Sequence, residues 1–256
     1  MPPPTPSSLT PPCSRTEIRE SPRPTCVHAC WQTLDVQALE RERYAAVLSD
    51  DERQRASQFR FLRDSHRYIV RRGRLRELLA RDLGCLPRQV PLSCNRFGKP
   101  RIDGADIDFN LSHSAGLALY VIAHQLDIGC DIEWRVPGLV GPAVAELFFS
   151  PLEVTTLAGL PLEQRDEAFF NCWTRKEAYL KALGLGLSIP LDSFAVSLAP
   201  GEPAALLQSR HESDVGRWSL ASFAPAPGLH VAVAARGPWQ LATMGLVPDP
   251  APPGRS

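Results

Sequence analysis

The stretch Gly129-Cys130-Asp131-Ile132-Glu133 carries two kinds of residue in strict alternation. Successive side chains of a strand point to opposite faces. As a strand, it therefore buries Ile128, Cys130 and Ile132 and projects Asp131 and Glu133 together on the other side. Further on, Trp173-Thr174-Arg175-Lys176-Glu177-Ala178-Tyr179-Leu180-Lys181 has the other periodicity. Residues four apart on a helix lie one above the other, so Trp173, Glu177 and Lys181 share a seam, with Lys176 one step around it. Two carboxylates on a strand, a third on a helix and two ammonium groups can cage a divalent cation and an anionic ligand. Oxygen ligands of this kind suit Mg²⁺ bridging substrate phosphates.

Each pair alone has a plainer reading. Asp131 and Glu133 could be solvated residues of an edge strand, and Glu177–Lys181 a surface i,i+4 pair worth about 0.3–0.5 kcal/mol. Company decides against that. Phe169, Phe170, Trp173 and Leu180 make the helix largely buried, and charges in a buried helix need partners.

A chain of 256 residues forms one domain or two small ones. Eight of its 25 prolines fall in Met1–Thr25 and four more in Val247–Ser256. These tails, residues 1–25 and 247–256, lack apolar periodicity and are expected to be disordered. Zero net charge argues against wholesale nucleic-acid binding and leaves recognition to local patches. No apolar run approaches membrane-span length, and the N-terminus lacks the core of a signal peptide. The seven cysteines are scattered and odd in number, which suits a reducing, cytoplasmic setting. Cys26-Val27-His28-Ala29-Cys30 has the wrong spacing for zinc and is read as a strand with buried thiols.

A strand is predicted over Val27–Leu34, a helix from Ser49, and a basic helix over Arg63–Leu83. Ile107–Leu111, Leu117–Ala123 and Ile128–Trp134 read as neighbouring antiparallel strands. Helices follow around Pro142–Leu147 and Pro151–Leu157, then a long one over Leu162–Leu183 that stops at Gly184. Phe194–Leu198, Arg217–Phe223 and His230–Ala234 are again strand-like. This order predicts an α+β protein without a nucleotide-binding βαβ array or a Gly-rich phosphate loop.

Phe109-Asn110-Leu111-Ser112-His113-Ser114 reads as a strand end with a polar turn, where functional loops often sit. No glycine-flanked serine supports a Ser-His hydrolase. Arg53, Arg55, Arg60, Arg63, Arg67, Arg71, Arg72, Arg74 and Arg76 are mostly a solvated face, a minority of which could bind an anion through guanidinium. Lys99 sits in a Gly-Lys-Pro turn.

Together these segments, with Phe59, His66-Arg67, Phe97-Gly98-Lys99-Pro100, Phe148-Phe149-Ser150 and Gly184-Leu185-Gly186-Leu187-Ser188, closely resemble the 4′-phosphopantetheinyl transferases of the surfactin-synthetase (Sfp) type. The resemblance implies transfer of the 4′-phosphopantetheine arm of coenzyme A to a serine of an apo acyl or peptidyl carrier protein, releasing adenosine 3′,5′-bisphosphate. It implies two similar α+β halves about a pseudo-twofold axis, here residues 26–124 and 125–246, with coenzyme A and Mg²⁺ (or Mn²⁺) in the cleft between them. By the same resemblance Asp131, Glu133 and Glu177 hold the metal, and Glu177 is the base. His113 and Lys181 bind the pyrophosphate, and Arg55, Arg67, Lys99 and Ser112 surround the 3′-phosphate and adenine end. Lys176 is a second basic residue near the carboxylates. Glu52 stands where a lysine is expected, and Tyr68 where a small hydroxyl residue is. The protein is expected to be a monomer that docks its carrier near Gly138–Leu157. A Mg²⁺-dependent phosphohydrolase would need a water-activating residue, which is not evident. A noncatalytic carrier-binding module would have lost the carboxylates, which are all present.

Overall fold

The computed structural model describes residues 25–135 and 142–244. Both expected proline-rich tails lie outside these residues, save Thr25, as does the 138–141 part of the expected docking region. The elements are β1 (Thr25–Thr33), α1 (Ala38–Ala46), α2 (Asp50–Ser57), α3 (Leu62–Leu83), β2 (Leu92–Cys94), β3 (Pro100–Ile102), β4 (Ile107–Ser114), β5 (Leu117–His124) and β6 (Ile128–Trp134). Then come α4 (Pro142–Phe148), α5 (Pro151–Gly159), α6 (Leu162–Leu183), β7 (Phe194–Val196), β8 (Leu206–Ser209), β9 (Trp218–Ala226), β10 (Leu229–Arg236) and β11 (Trp239–Met244). The protein is mixed α+β.

Two sheets carry the fold, one in the order β11-β1-β5-β4 and the other β6-β10-β9. They pack face to face with a long helix outside each, and the alternation within single strands builds every layer. In β5, Leu117, Leu119, Val121 and Ala123 enter the core between the sheets, where Ile128, Cys130 and Ile132 of β6 meet Val231 and Val233 of β10. Ala118, Tyr120 and Ile122 of β5 face the other way, onto Val70, Leu75 and Leu79 of α3. In β10, Ala232 and Ala234 face Ala178, Tyr179 and Ala182 of α6. Each layer thus sets a 22-residue helix on a sheet, antiparallel in β6-β10-β9 and mixed in β11-β1-β5-β4, where β11 runs parallel to β1. Both long helices stop at a left-handed glycine, Gly84 and Gly184, as the sequence predicts for the second.

Three expectations change, and one helix is added. β6 does not pair with β5 but with β10, and it meets β4 edge to edge through side chains instead of a ladder. The Ser112-His113-Ser114 segment is the end of β4, not a turn; the turn is Ala115-Gly116, both with positive φ. Cys26 and Cys30 lie on the less buried face of β1, which instead buries Val27, Ala29 and Trp31. Helix α1 had no signal in the sequence, since Tyr44 is its one buried residue. Among the described residues no helix is long and apolar enough to cross a membrane.

Candidate active site

β6 touches α6 backbone to backbone because residue 129 is glycine. A Cβ there would lie 2.2 Å from both Ala178 O and Ala182 N. This contact brings Asp131, on the same strand face two residues on, beneath the last turn of the helix. Lys181 Nζ donates to Asp131 Oδ1 at 2.5 Å and to Ser112 Oγ at 3.0 Å. Ser112 Oγ donates to the same Oδ1 at 2.8 Å. One step along, Ser114 Oγ donates to Glu133 Oε2 at 2.8 Å and accepts from Trp134 N at 3.3 Å. Asn110 Oδ1 accepts from Cys130 N at 3.0 Å. Alternate residues of β4, one strand of the first sheet, thus hold the carboxylates of β6, a strand of the second.

These groups form one wall of a cleft of about 550 Å³. Trp173, Glu177 and Lys181 reach it along the predicted seam of α6, and the exposed His113 borders it. Tyr68, Arg71 and Arg72 of α3 also line it.

The electrostatics of the cleft are unbalanced. Burial raises the Asp131 carboxyl above its usual range, with Lys181 partly opposing. Burial, and then the Asp131 charge, push Glu133 up to about 7 and also raise Glu177. Burial would lower Lys181, but the adjacent Asp131 more than offsets it and holds the ammonium above its usual value. Three carboxylates thus share one ammonium. Asp131 Oδ2 is buried with no hydrogen-bond partner, which is costly for a charged oxygen. An orphaned carboxylate oxygen beside two carboxylates that resist ionisation fits a site for a hard divalent cation. Among the described residues, no three His, Cys, Asp or Glu side chains are grouped closely enough to hold an ion as they stand. In this arrangement the Lys181 ammonium is the cation on Asp131.

Several expected ligand-binding residues lie elsewhere. Lys176 is 1% exposed, its Nζ donating to Glu153 Oε1 at 2.8 Å, Glu153 Oε2 at 2.6 Å and Phe194 O at 2.7 Å. One residue step on a helix is about 100°, enough to turn it from the cleft into the core, so it does not stand near the carboxylates. Lys99 Nζ donates to Ile128 O at 3.0 Å and Ala182 O at 3.2 Å, tying the β2–β3 turn to the end of α6. It lines an adjoining hollow of about 300 Å³ together with Glu177 and Lys181. Arg67 forms a two-pronged pair with Asp35, at 2.7 and 2.5 Å, under the β4–β5 turn. Arg55 is exposed, its guanidinium 5.9 Å from the Phe59 ring centre. Glu52, the departure from the expected lysine, caps α2 with Ser49 and is buried against Arg72 and Arg76.

Sequence reasoning did not assign Ser114, Arg71 or Arg72 to the site. Ser114 shares its strand face with Ser112, so parity could have found it. Arg71 and Arg72 follow Arg67 and Tyr68 by one helical turn, but nothing local separates them from the other arginines of α3.

Residues 127–234 match the family model described as the 4′-phosphopantetheinyl transferase superfamily. The chain is 38% identical over 219 residues to the 4′-phosphopantetheinyl transferase HetI of Nostoc sp., covering 84% of this chain and 90% of that protein. It is 30% identical over 214 residues to the 4′-phosphopantetheinyl transferase Sfp of Bacillus subtilis, covering 83% of this chain and 92% of that protein. With matches of this extent, the chain belongs to the 4′-phosphopantetheinyl transferase superfamily and is an enzyme of that class.

Proposed function

We propose that this enzyme transfers the 4′-phosphopantetheine arm of coenzyme A to a serine hydroxyl of an apo acyl or peptidyl carrier protein, with Mg²⁺ held by Asp131, Glu133 and Glu177. The observation that carries the reading is Asp131 Oδ2, buried and unpartnered beside two carboxylates whose pKa values are raised. Bound Mg²⁺ would act as a Lewis acid on the pyrophosphate. Lys181, freed from part of its bond to Asp131, and His113 would offset charge on the phosphate oxygens, the kind of preorganised stabilisation that dominates such reactions. Glu177, made more basic by burial and by Asp131, takes the serine proton, directly or through a water. The serine oxygen bonds to the phosphorus that bears pantetheine. The pyrophosphate P–O bond on its far side breaks, and adenosine 3′,5′-bisphosphate leaves with the electron pair.

The carrier docks on α4 and α5, where Leu147, Phe148 and Leu152 are exposed and Phe148 packs edge-on against Trp173 at 5.8 Å. Residues 26–124 and 125–246 act as two halves that meet at the cleft, with β11 of the second returning to the sheet of the first, so a monomer is sufficient. Six free cysteines among the described residues support a reducing, cytoplasmic setting.

Product analysis tests the reading. With apo carrier present, adenosine 3′,5′-bisphosphate should form one-for-one with loss of apo carrier. Release of the bisphosphate without any carrier would make the enzyme a hydrolase and overturn the proposal.

A further inference from the structure

The cleft has two separate charge centres. Lys181 bonds to Asp131 and Ser112, whereas Arg71 and Arg72, on α3, form no ion pair with Asp131, Glu133 or Glu177. The second centre is therefore the arginine wall of α3. Most of its cations are engaged. Arg67 is held by Asp35, and Arg72 and Arg76 by Glu52. Lys99 is committed to backbone carbonyls and Arg55 stands away from the cleft. Arg71 lines the cleft with no carboxylate partner among the described residues. Its guanidinium lies 5.7 Å from the Tyr68 ring centre, and Tyr68 in turn packs on Phe59 at 5.4 Å. Burial lowers its pKa, so it is a desolvated cation without a counter-ion.

Coenzyme A carries two separate phosphate groups, a pyrophosphate and a 3′-monoester. On the reading above, the carboxylate and Lys181 centre takes the first. We propose that Arg71 binds the 3′-phosphate of coenzyme A and sets the enzyme's preference for coenzyme A over dephospho-coenzyme A. A planar guanidinium suits a terminal phosphate, which can accept two parallel hydrogen bonds. The aromatic ring beneath it offers a face to the adjoining purine. In this chain Glu52 neutralises neighbouring arginines and leaves Arg71 as the receiver. The assignment rests on the proposed transferase reading.

The test compares kcat/KM for coenzyme A and for dephospho-coenzyme A in the wild type, Arg71→Gln and Arg71→Lys. Loss of a charge-assisted pair should cut kcat/KM for coenzyme A about 10- to 100-fold in Arg71→Gln, mainly through KM. Turnover of dephospho-coenzyme A should stay within about twofold on the same grounds, which also shows that the variant is folded. Arg71→Lys should recover part of the loss. Equal losses on both donors would move Arg71 to the pyrophosphate or to a packing role and overturn the proposal. So would unchanged kinetics, or a loss confined to KM for the carrier. Binding of adenosine 3′,5′-bisphosphate by calorimetry tests Arg71 even if no transfer occurs. Weaker binding by Arg71→Gln than by the wild type supports the assignment, and equal binding refutes it.

Discussion

Replacing Lys176 with methionine separates a structural lysine from a ligand-binding one. Lys176 and Glu153 are each 1% exposed, joined through both carboxylate oxygens. Glu153 also accepts from Ser150 N at 2.7 Å and from Val196 N at 2.8 Å, so it cannot swing out to solvent without breaking the cap of α5 and the end of β7. Lys176→Met removes the cation and leaves a carboxylate buried in the helical layer. Removing one partner of a buried pair costs about 3–5 kcal/mol. For a chain of this size each kcal/mol moves Tm by about 2–4 °C, giving a drop of about 6–20 °C. The assay is a far-UV circular dichroism melt, paired with kcat/KM for coenzyme A at a temperature where the variant is folded. Tm should fall while KM stays near the wild-type value. Adding Glu153→Gln, which removes the charge while keeping an acceptor for one of the two backbone donors, should restore part of the loss. An unchanged Tm with a raised KM for coenzyme A would refute the reasoning and return Lys176 to the cleft.

Gly129→Ala forces a methyl group into the backbone of α6, 2.2 Å from Ala178 O and Ala182 N. It should lower both Tm and activity by prising Lys181 from Asp131; a variant with wild-type Tm and turnover would show that the contact is not needed. Asp131→Ala and Glu177→Gln should lose nearly all turnover, and Mg²⁺ should raise the Tm of the wild type but not that of Asp131→Ala. A Mg²⁺-induced rise in the alanine variant equal to that of the wild type would count against the metal assignment. Burial, with Arg135 and Arg175, lowers the His230 imidazole from 6.5 to about 4. Below pH 6.5 the unfolded chain takes up a proton that the folded chain refuses, so stability falls between about pH 6.5 and about 4 and is unaffected above. Urea midpoints at pH 7 and pH 5 should differ less in His230→Gln than in the wild type, and equal differences would exclude this source.

What the sequence revealed follows the reach of its periodicities. The seam of α6, its stop at Gly184 and the two faces of β6 are local, and each stands where the alternation puts it. Long-range pairing leaves no such trace. β11 runs parallel to β1 across nearly the whole chain, with Thr25 opposite Trp239, and nothing in Trp239–Met244 names its partner. Nor does Ile128–Trp134 announce that it pairs with Leu229–Arg236 and not with Leu117–His124. The site divides in the same way. Asp131, Glu133, Glu177 and Lys181 converge because strand and helix parity fix them. Lys176 is one residue from Glu177 and goes to the core, because its partner Glu153 lies on another helix. Arg71 differs from Arg67 and Arg72 only in lacking a carboxylate neighbour, and that depends on where Asp35 and Glu52 fold.

The intact mass of an apo carrier protein, incubated with this enzyme, coenzyme A and Mg²⁺, tests the central claim most directly. The carrier should gain the mass of one phosphopantetheinyl group, and the gain should vanish with chelator or with Asp131→Ala. A gain that persists in chelator and in the variant would contradict the role given to the carboxylates. No gain on either acyl or peptidyl carriers would contradict the transfer itself.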